Sequence, residues 1–223
     1  MPSNMNYHSG ITNLRTKTSG TLGRKHLKAL LAERNQNPAA VADIDRQIRE
    51  AFEREVAILV LDLSGFSQRS HSHGIIHFLA MIQQMEVAAT PAVVDNGGIV
   101  IKQEADNLFA VFETAHGALE AALDIFRAFE AVNSVVPEDR DLHGGFGIGY
   151  GKTLVIGTDD LFGEEMNLAC KLGEDVAERG EILLTEAAFA NLGTPGYPFD
   201  PVRFDISGMS ISAYRYTSPR SIG

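Results

Sequence analysis

The chain's longest apolar stretch, Val56-Ala57-Ile58-Leu59-Val60-Leu61, is unbroken and rich in β-branched residues. That pattern marks a strand buried on both faces. It ends at Asp62, and Ser64-Gly65 follows. Ile75 to Val94 predicts a long helix, with Pro91 expected to kink or end it. Asp95-Asn96-Gly97-Gly98 is a turn. Ile99–Lys102 and Leu108–Phe112 predict two strands of a hairpin around Glu104–Asp106. His116 to Val132 is amphipathic and helical. Gly145–Tyr150 and Thr153–Ile156 predict strands, Glu164 to Glu178 a helix and Ile182–Leu184 a strand. Phe204, Ile206, Ile211 and Tyr214 mark closing strands. The order β-α-β-β-α-β, with further elements after it, predicts an α+β fold with a ferredoxin-like core and a mostly antiparallel sheet.

Ahead of the apolar run the pattern differs. Residues 1–22 are rich in Ser, Thr, Asn and Gly and predict a flexible arm. Residues 23–54 are charged and helix-favouring. Leu27, Leu30 and Leu31 repeat at i, i+3, i+4, and Val41, Ile44, Ile48 and Phe52 at i, i+3, i+7, i+11. Asn37-Pro38 divides this helical lead-in into two helices. Their stripes suit packing on their own domain or dimerisation, and both readings stay open. Residues 55–217 form the main domain and 218–223 a tail.

Length and charge narrow the function. At 223 residues the chain holds one ordinary domain with an extension. With 29 acidic against 19 basic residues the net charge is −10. Such a surface disfavours nucleic acid and anionic lipid as partners. A single cysteine, Cys170, allows neither an internal disulfide nor a Cys-based zinc site. No apolar run is long enough to span a bilayer, and the start of the chain lacks a signal-peptide core. These features predict a soluble, cytoplasmic protein.

Asp62, at the end of the most apolar strand, is costly there unless something pairs with it. Asp106 sits at the hairpin tip. A β-α-β-β unit places its first strand beside that hairpin, so the two carboxylates converge at one end of the sheet. Two oxygen ligands completed by substrate phosphates suit Mg²⁺ or Mn²⁺. The plainer explanation is that Asp62 caps a turn and Asp106 is a hairpin turn residue.

Four segments carry a resemblance. Asp62-Leu63-Ser64-Gly65-Phe66-Ser67 resembles the D-[IL]-x-G-F-[ST] segment of class III nucleotidyl cyclases, the adenylate and guanylate cyclase catalytic domains. Lys102-Gln103-Glu104-Ala105-Asp106 is similar to their K-x-x-G-D hairpin, with Ala105 in place of Gly. Asp160-Leu161-Phe162-Gly163 and Met166-Asn167-Leu168-Ala169-Cys170-Lys171-Leu172 resemble D-x-[WY]-G-x-x-V-N-x-A-x-R-[LM]. Gly180-Glu181-Ile182-Leu183-Leu184-Thr185 matches the G-x-I-x-[VL]-[ST] strand. The motifs keep the family's order and spacing across roughly 55–217.

The resemblance implies a homodimer with active sites at the protomer interface. It implies that Asp62, Asp106 and the Leu63 carbonyl hold two divalent metals, Mg²⁺ or Mn²⁺. These activate the ribose 3′-hydroxyl and neutralise the triphosphate. The Gly65 and Phe66 amides bind phosphate oxygens. Lys102 and Asp160 of the partner chain read adenine, Asn167 orients the ribose, and Lys171 takes the place of the transition-state arginine. ATP is the expected substrate, and the products are the 3′,5′-cyclic monophosphate and pyrophosphate. Three cations of the pattern are weakened or missing: arginine is replaced by Lys171, the triphosphate arginine by Gly145, and a C-terminal lysine by Met209 in a loose alignment. Lys152 or Arg203 are candidate substitutes. Two alternatives follow from these departures: a cyclase for UTP, CTP or GTP in bacterial signalling or antiphage defence, and a catalytically silent nucleotide-binding regulatory dimer.

Other features have plainer explanations. The glycines from Gly144 to Gly151 lack the strand-and-helix frame of a dinucleotide fingerprint and mark a close backbone approach. His71, His73 and His77 are expected to be solvated or locally bonded rather than zinc ligands. Cys170 is expected to be a small packing residue.

Overall fold

The computed structural model describes residues 23–64, 74–193, 196–206 and 208–217. Strand β1 (Glu53–Leu63) forms from the apolar run, and its side chains alternate between two cores. Ala57, Leu59, Leu61 and Leu63 face helices α3 (Ile75–Asp95) and α4 (Ala115–Asn133), packing with Met85, Ala89, Leu119, Ile125 and Phe129. Val56, Ile58 and Val60 face the other way, onto Ile101, Phe109, Met166 and Ala169. Both faces of the strand are dry, as its unbroken hydrophobicity requires.

Strands β2 (Ile99–Glu104) and β3 (Asn107–Phe112) form the hairpin, joined through Ala105-Asp106. Strand β4 (Gly144–Ile156) lies on the other side of β1. The order β2-β3-β1-β4 is fully antiparallel, the ferredoxin-like arrangement. Strand β5 (Asp160–Phe162) folds back on β4. Helix α5 (Glu164–Cys170) then crosses to β6 (Ile182–Thr185), which runs parallel to β4. After the short helix α6 (Glu186–Asn191), strands β7 (Phe199–Ile206) and β8 (Met209–Tyr216) extend the sheet to eight strands. The sheet is thus mostly antiparallel with a C-terminal extension, as the sequence predicts.

The lead-in forms α1 (Arg24–Gln36) and α2 (Val41–Phe52). Leu27, Leu30, Ile44, Ile48 and Phe52 pack with Ile156 and Leu154 of β4, so most of both stripes is buried on their own domain, while Leu31 of the first stripe stays 41% exposed. The arm at 1–22, the segment 65–73 and the tail at 218–223 lie outside the described residues.

Three elements differ from the sequence reading. The two strands expected on either side of Gly151 are one strand, held straight by pairing with β1 from Glu53↔Leu154 to Leu63↔Gly144. The single helix expected over 164–178 is α5 followed by a π-helical turn, Lys171–Val176. The cause is close packing: a Cβ on Gly147 would lie 2.0 Å from the Ala169 carbonyl oxygen. The helix backbone rests directly on β4 there. Pro91 neither ends α3 nor leaves a buried gap. Its missing hydrogen bond falls at Val87, on the exposed side of the helix.

Candidate active site

Alternation along β1 puts Asp62 next in the series Ile58, Val60, on the face covered by α5. Asn107 of β3 lies directly across from it on one side and Gly145 of β4 on the other. Asp106 sits at the adjoining hairpin turn, where its carbonyl accepts from the Leu63 N–H at 3.3 Å. The hairpin thereby ties Asp106 to the strand end that carries Asp62 and Leu63. Burial pushes the Asp62 carboxyl up to about 7, and the negative charges of Asp106, Glu174 and Asp175 push the same way. Beside it, Oδ1 of Asn107 is buried without a hydrogen-bond partner. Hard oxygen donors, crowded negative charge and an orphaned carbonyl oxygen fit Mg²⁺ or Mn²⁺. Among the described residues no group of three His, Cys, Asp or Glu side chains forms a metal cage. The pair suits ions whose remaining ligands come from backbone, water and substrate phosphates.

The second predicted pair is also brought together. Lys102 Nζ lies 2.9 Å from Asp160 Oδ1 and 2.9 Å from Glu104 Oε2, and 4.7 Å from the centre of the Phe109 ring. Asp160 Oδ1 also accepts from the Leu161 N–H at 3.0 Å. Burial pulls the Lys102 ammonium down, but its hydrogen bonds to Asp160 and Glu104 outweigh this and raise it. Burial pushes Asp160 up, yet the hydrogen bonds from Lys102 and Leu161 and the charges of Lys102 and Arg24 hold it below the usual carboxylate range. Both groups are ionised and aimed at each other. Arg24 was not a predicted site residue; its Nη2 donates to Asp160 Oδ2 at 2.9 Å.

Asn167 and Lys171 stand one turn apart where α5 passes into the π-helical turn. Asn167 is exposed and Lys171 half-buried. Such turns recur at functional positions because they break the regular helix face. The Gly65 and Phe66 positions lie outside the described residues.

No protein-family model matches the chain. A Rhizobium meliloti (strain 1021) protein named "Putative adenylate cyclase 3" is 30% identical over 140 residues, 62% of this chain and 23% of that protein. The chain therefore spans about a quarter of that relative's length. Among solved structures, the adenylate/guanylate cyclase/hydrolase from Silicibacter pomeroyi superposes with a TM-score of 0.62 at 24% identity, covering 75% of this chain and 98% of that one. The adenylyl cyclase CyaB from P. aeruginosa superposes at 0.63 and 17% identity, covering 77% and 98%. The fold is that of the adenylate/guanylate cyclase catalytic domain.

Against the cyclase pattern, the departures acquire physical reasons. A Cβ on Gly145 would meet the Ala177 carbonyl oxygen at 2.7 Å and the Ala177 Cβ at 2.8 Å. The place of the family's triphosphate arginine is closed by backbone, so the exchange is built into the packing. Ala105, standing for the family's hairpin glycine, adopts φ 51°, the left-handed region that glycine tolerates best. Lys152 does not replace the missing cation within its chain. It pairs with Glu53 at 3.3 Å, seven residues along β4 from Gly145, or roughly 23 Å at the usual rise per residue. Arg203 sits exposed on the outer strand β7. Met209 is exposed at the start of β8.

The remaining candidates resolve simply. The Gly144–Gly151 segment lies within β4, with no helix following it, so the dinucleotide reading falls away. His77 Nε2 lies 3.1 Å from the Asp139 carbonyl oxygen, and His71 and His73 lie outside the described residues. Burial, with Glu174 beside it, pushes the Cys170 thiol up to about 12, so it packs rather than reacts. A cavity of about 440 Å³ between α4 and the start of β4, lined by Phe126, Phe129, Leu142 and Arg179, contains none of the predicted site residues.

Proposed function

We propose that the chain is a nucleotidyl cyclase acting as a homodimer, converting a nucleoside triphosphate, ATP by preference, to the 3′,5′-cyclic monophosphate and pyrophosphate. The observation that carries this reading is one chain holding both a crowded acidic pair, Asp62 and Asp106, with the Asp62 carboxyl pushed up to about 7, and a preassembled Lys102–Asp160 pair. The curated relative named for adenylate cyclase supports it.

In this reading Asp62 and Asp106, with the Leu63 carbonyl, hold two divalent ions, Mg²⁺ or Mn²⁺. Bound there, the ions supply acidity to the ribose 3′-hydroxyl and charge to the triphosphate. The partner protomer contributes the base-reading pair. Asp160 accepts from the exocyclic amine of adenine and Lys102 donates to a ring nitrogen. Guanine presents a carbonyl at that edge and meets a carboxylate acceptor instead of a donor. From the same partner protomer, Asn167 orients the ribose, and Lys171 places positive charge beside the reacting phosphate. The Gly65 and Phe66 amides hold phosphate oxygens. The 3′-oxygen bonds to the α-phosphorus as the bond to the β-phosphate oxygen breaks, pyrophosphate leaves, and the hydroxyl proton is released.

Purified protein incubated with Mn²⁺ or Mg²⁺ and each of the four ribonucleoside triphosphates tests the reading. Cyclic nucleotide and pyrophosphate are expected, formed fastest from ATP. No cyclic product from any of them contradicts it, and equal rates from ATP and UTP contradict the base assignment. A second reading, a silent nucleotide-binding dimer, draws on the closed Gly145 position. Tight ATP binding without turnover favours it.

A further inference from the structure

The lead-in helices take no part in the chemistry above, yet the first residue of α1 reaches the base-reading carboxylate from 136 positions away. Arg24 Nη2 donates to Asp160 Oδ2 at 2.9 Å and to the Asp159 carbonyl oxygen at 3.1 Å. The Arg24 backbone N–H donates to Asp159 Oδ2 at 3.1 Å. The contact is anchored at both ends of the residue, and Leu27 and Leu30 seat α1 against Phe52 and Ile156. The Asp160 side chain is 13% exposed, so its charge needs partners.

A carboxylate offers about four acceptor directions. Lys102 and the Leu161 N–H occupy Oδ1, and Arg24 occupies one direction of Oδ2. One direction on Oδ2 is left for a base amine. The terminal torsion of an aspartate is broad, so contacts rather than a rotamer well set the plane of its oxygens. Lys102 and Leu161 both grip the same oxygen and leave the second undirected.

We propose that Arg24 is a positioning residue for base selection: it fixes the second oxygen of Asp160 so that the carboxylate presents one acceptor direction to the nucleobase. This rests on the reading of Lys102 and Asp160 as the base-reading pair. With Arg24 removed, Asp160 still accepts but its plane is free, so binding of ATP weakens more than that of GTP.

The test measures kcat and KM for ATP and GTP in the wild type and in Arg24→Ala, Arg24→Lys, Arg34→Ala and Asp160→Ala. Binding of non-cyclisable ATP and GTP analogues is measured alongside. Arg34 pairs with Asp45 on the same lead-in, away from Asp160, and controls for loosened helices. Arg24→Ala is expected to lower the ATP-to-GTP ratio of kcat/KM by about tenfold, through KM for ATP with kcat nearly held. Arg24→Lys restores most of the ratio, and Arg34→Ala leaves it unchanged. An unchanged ratio in Arg24→Ala overturns the proposal, as does an equal fall in Arg34→Ala. Faster ATP turnover in Arg24→Ala also overturns it, since the contact would then restrain the carboxylate rather than aim it. If Asp160→Ala keeps the ATP preference, the base-reading assignment itself fails and the proposal falls with it.

Discussion

The carboxylate end of β1 and the Lys102–Asp160 corner lie on the same face of the sheet and hold their charge in opposite ways. At the first, Asp62 meets Asp106, Glu174 and Asp175, and its carboxyl is pushed up to about 7. At the second, Asp160 is gripped by Lys102, Arg24 and a backbone N–H and held below its usual range. Among the described residues, one region gathers negative charge, and the other has its charges paired. The difference separates an end of the sheet where negative charges crowd one another from a corner whose charges are already paired. A single apolar core fixes both, since Val60 and Phe109 belong to the same cluster. In the proposed reading the −10 net charge takes on a local meaning beside it: a polyanionic substrate would be met through metal ions at Asp62 and Asp106 rather than through a basic surface.

Breaking the acidic region has the largest expected effect. Asp62→Ala or Asp106→Ala is expected to lower turnover by about a thousandfold or more, and to abolish the Mn²⁺ dependence of nucleotide binding seen by calorimetry. Breaking the satisfied region costs selectivity. Lys102→Ala is expected to reduce the ATP-to-GTP ratio of kcat/KM by roughly tenfold to a hundredfold, while Mn²⁺ affinity is retained.

Filling the closed position next to Asp62 sharpens the contrast. Gly145→Arg restores the family's cation in sequence but collides with Ala177. It is expected to lower stability by about 1–3 kcal/mol in a denaturant titration, with no gain in turnover.

Asp62→Asn tests the electrostatics without metal. Asp62 binds its proton more tightly folded than unfolded, because its carboxyl is pushed up to about 7. That preference favours the fold at acid pH and is lost as pH rises from about 4 to about 7. The substituted amide stays neutral throughout. The variant is therefore expected to melt a few degrees higher than the wild type at about pH 8 and equally at about pH 4. The smallest effect is at the hairpin turn. Ala105→Gly relieves the φ of 51° and is expected to stabilise by about 0.5–1 kcal/mol, read as a shift in the urea midpoint.

Much of this arrangement was legible in the residues. The β1 run, the hairpin around Asp106 and the two amphipathic helices are local patterns, and the end of the run marked Asp62, while the face it occupies came from the structure. The motif spacing named Lys102 and Asp160, which meet at 2.9 Å. What stayed hidden depends on backbone meeting backbone, or on residues far apart in sequence. The π-helical turn at 171–176 arises where Gly147 and Gly173 let α5 settle on β4, and the apolar spacing of that segment matches an ordinary helix equally well. Gly145 read as a lost arginine; only the position of Ala177 shows that a side chain has no room there. Asn107 carries no motif signal, and only its pairing across from Asp62 and its buried, unpartnered Oδ1 mark it. Arg24 belongs to a charged helix with nothing local to tie it to Asp160.

The central claim is that the two regions of one chain serve two different active sites, each completed by a second copy. Co-expression of Asp62→Ala with Asn167→Ala tests it most directly. Each variant alone is expected to be nearly inactive as a homodimer. Random pairing makes half of the dimers mixed, each with one intact site, so the mixture is expected to recover about a quarter of the wild-type rate. A mixture no more active than the separate variants would contradict the account.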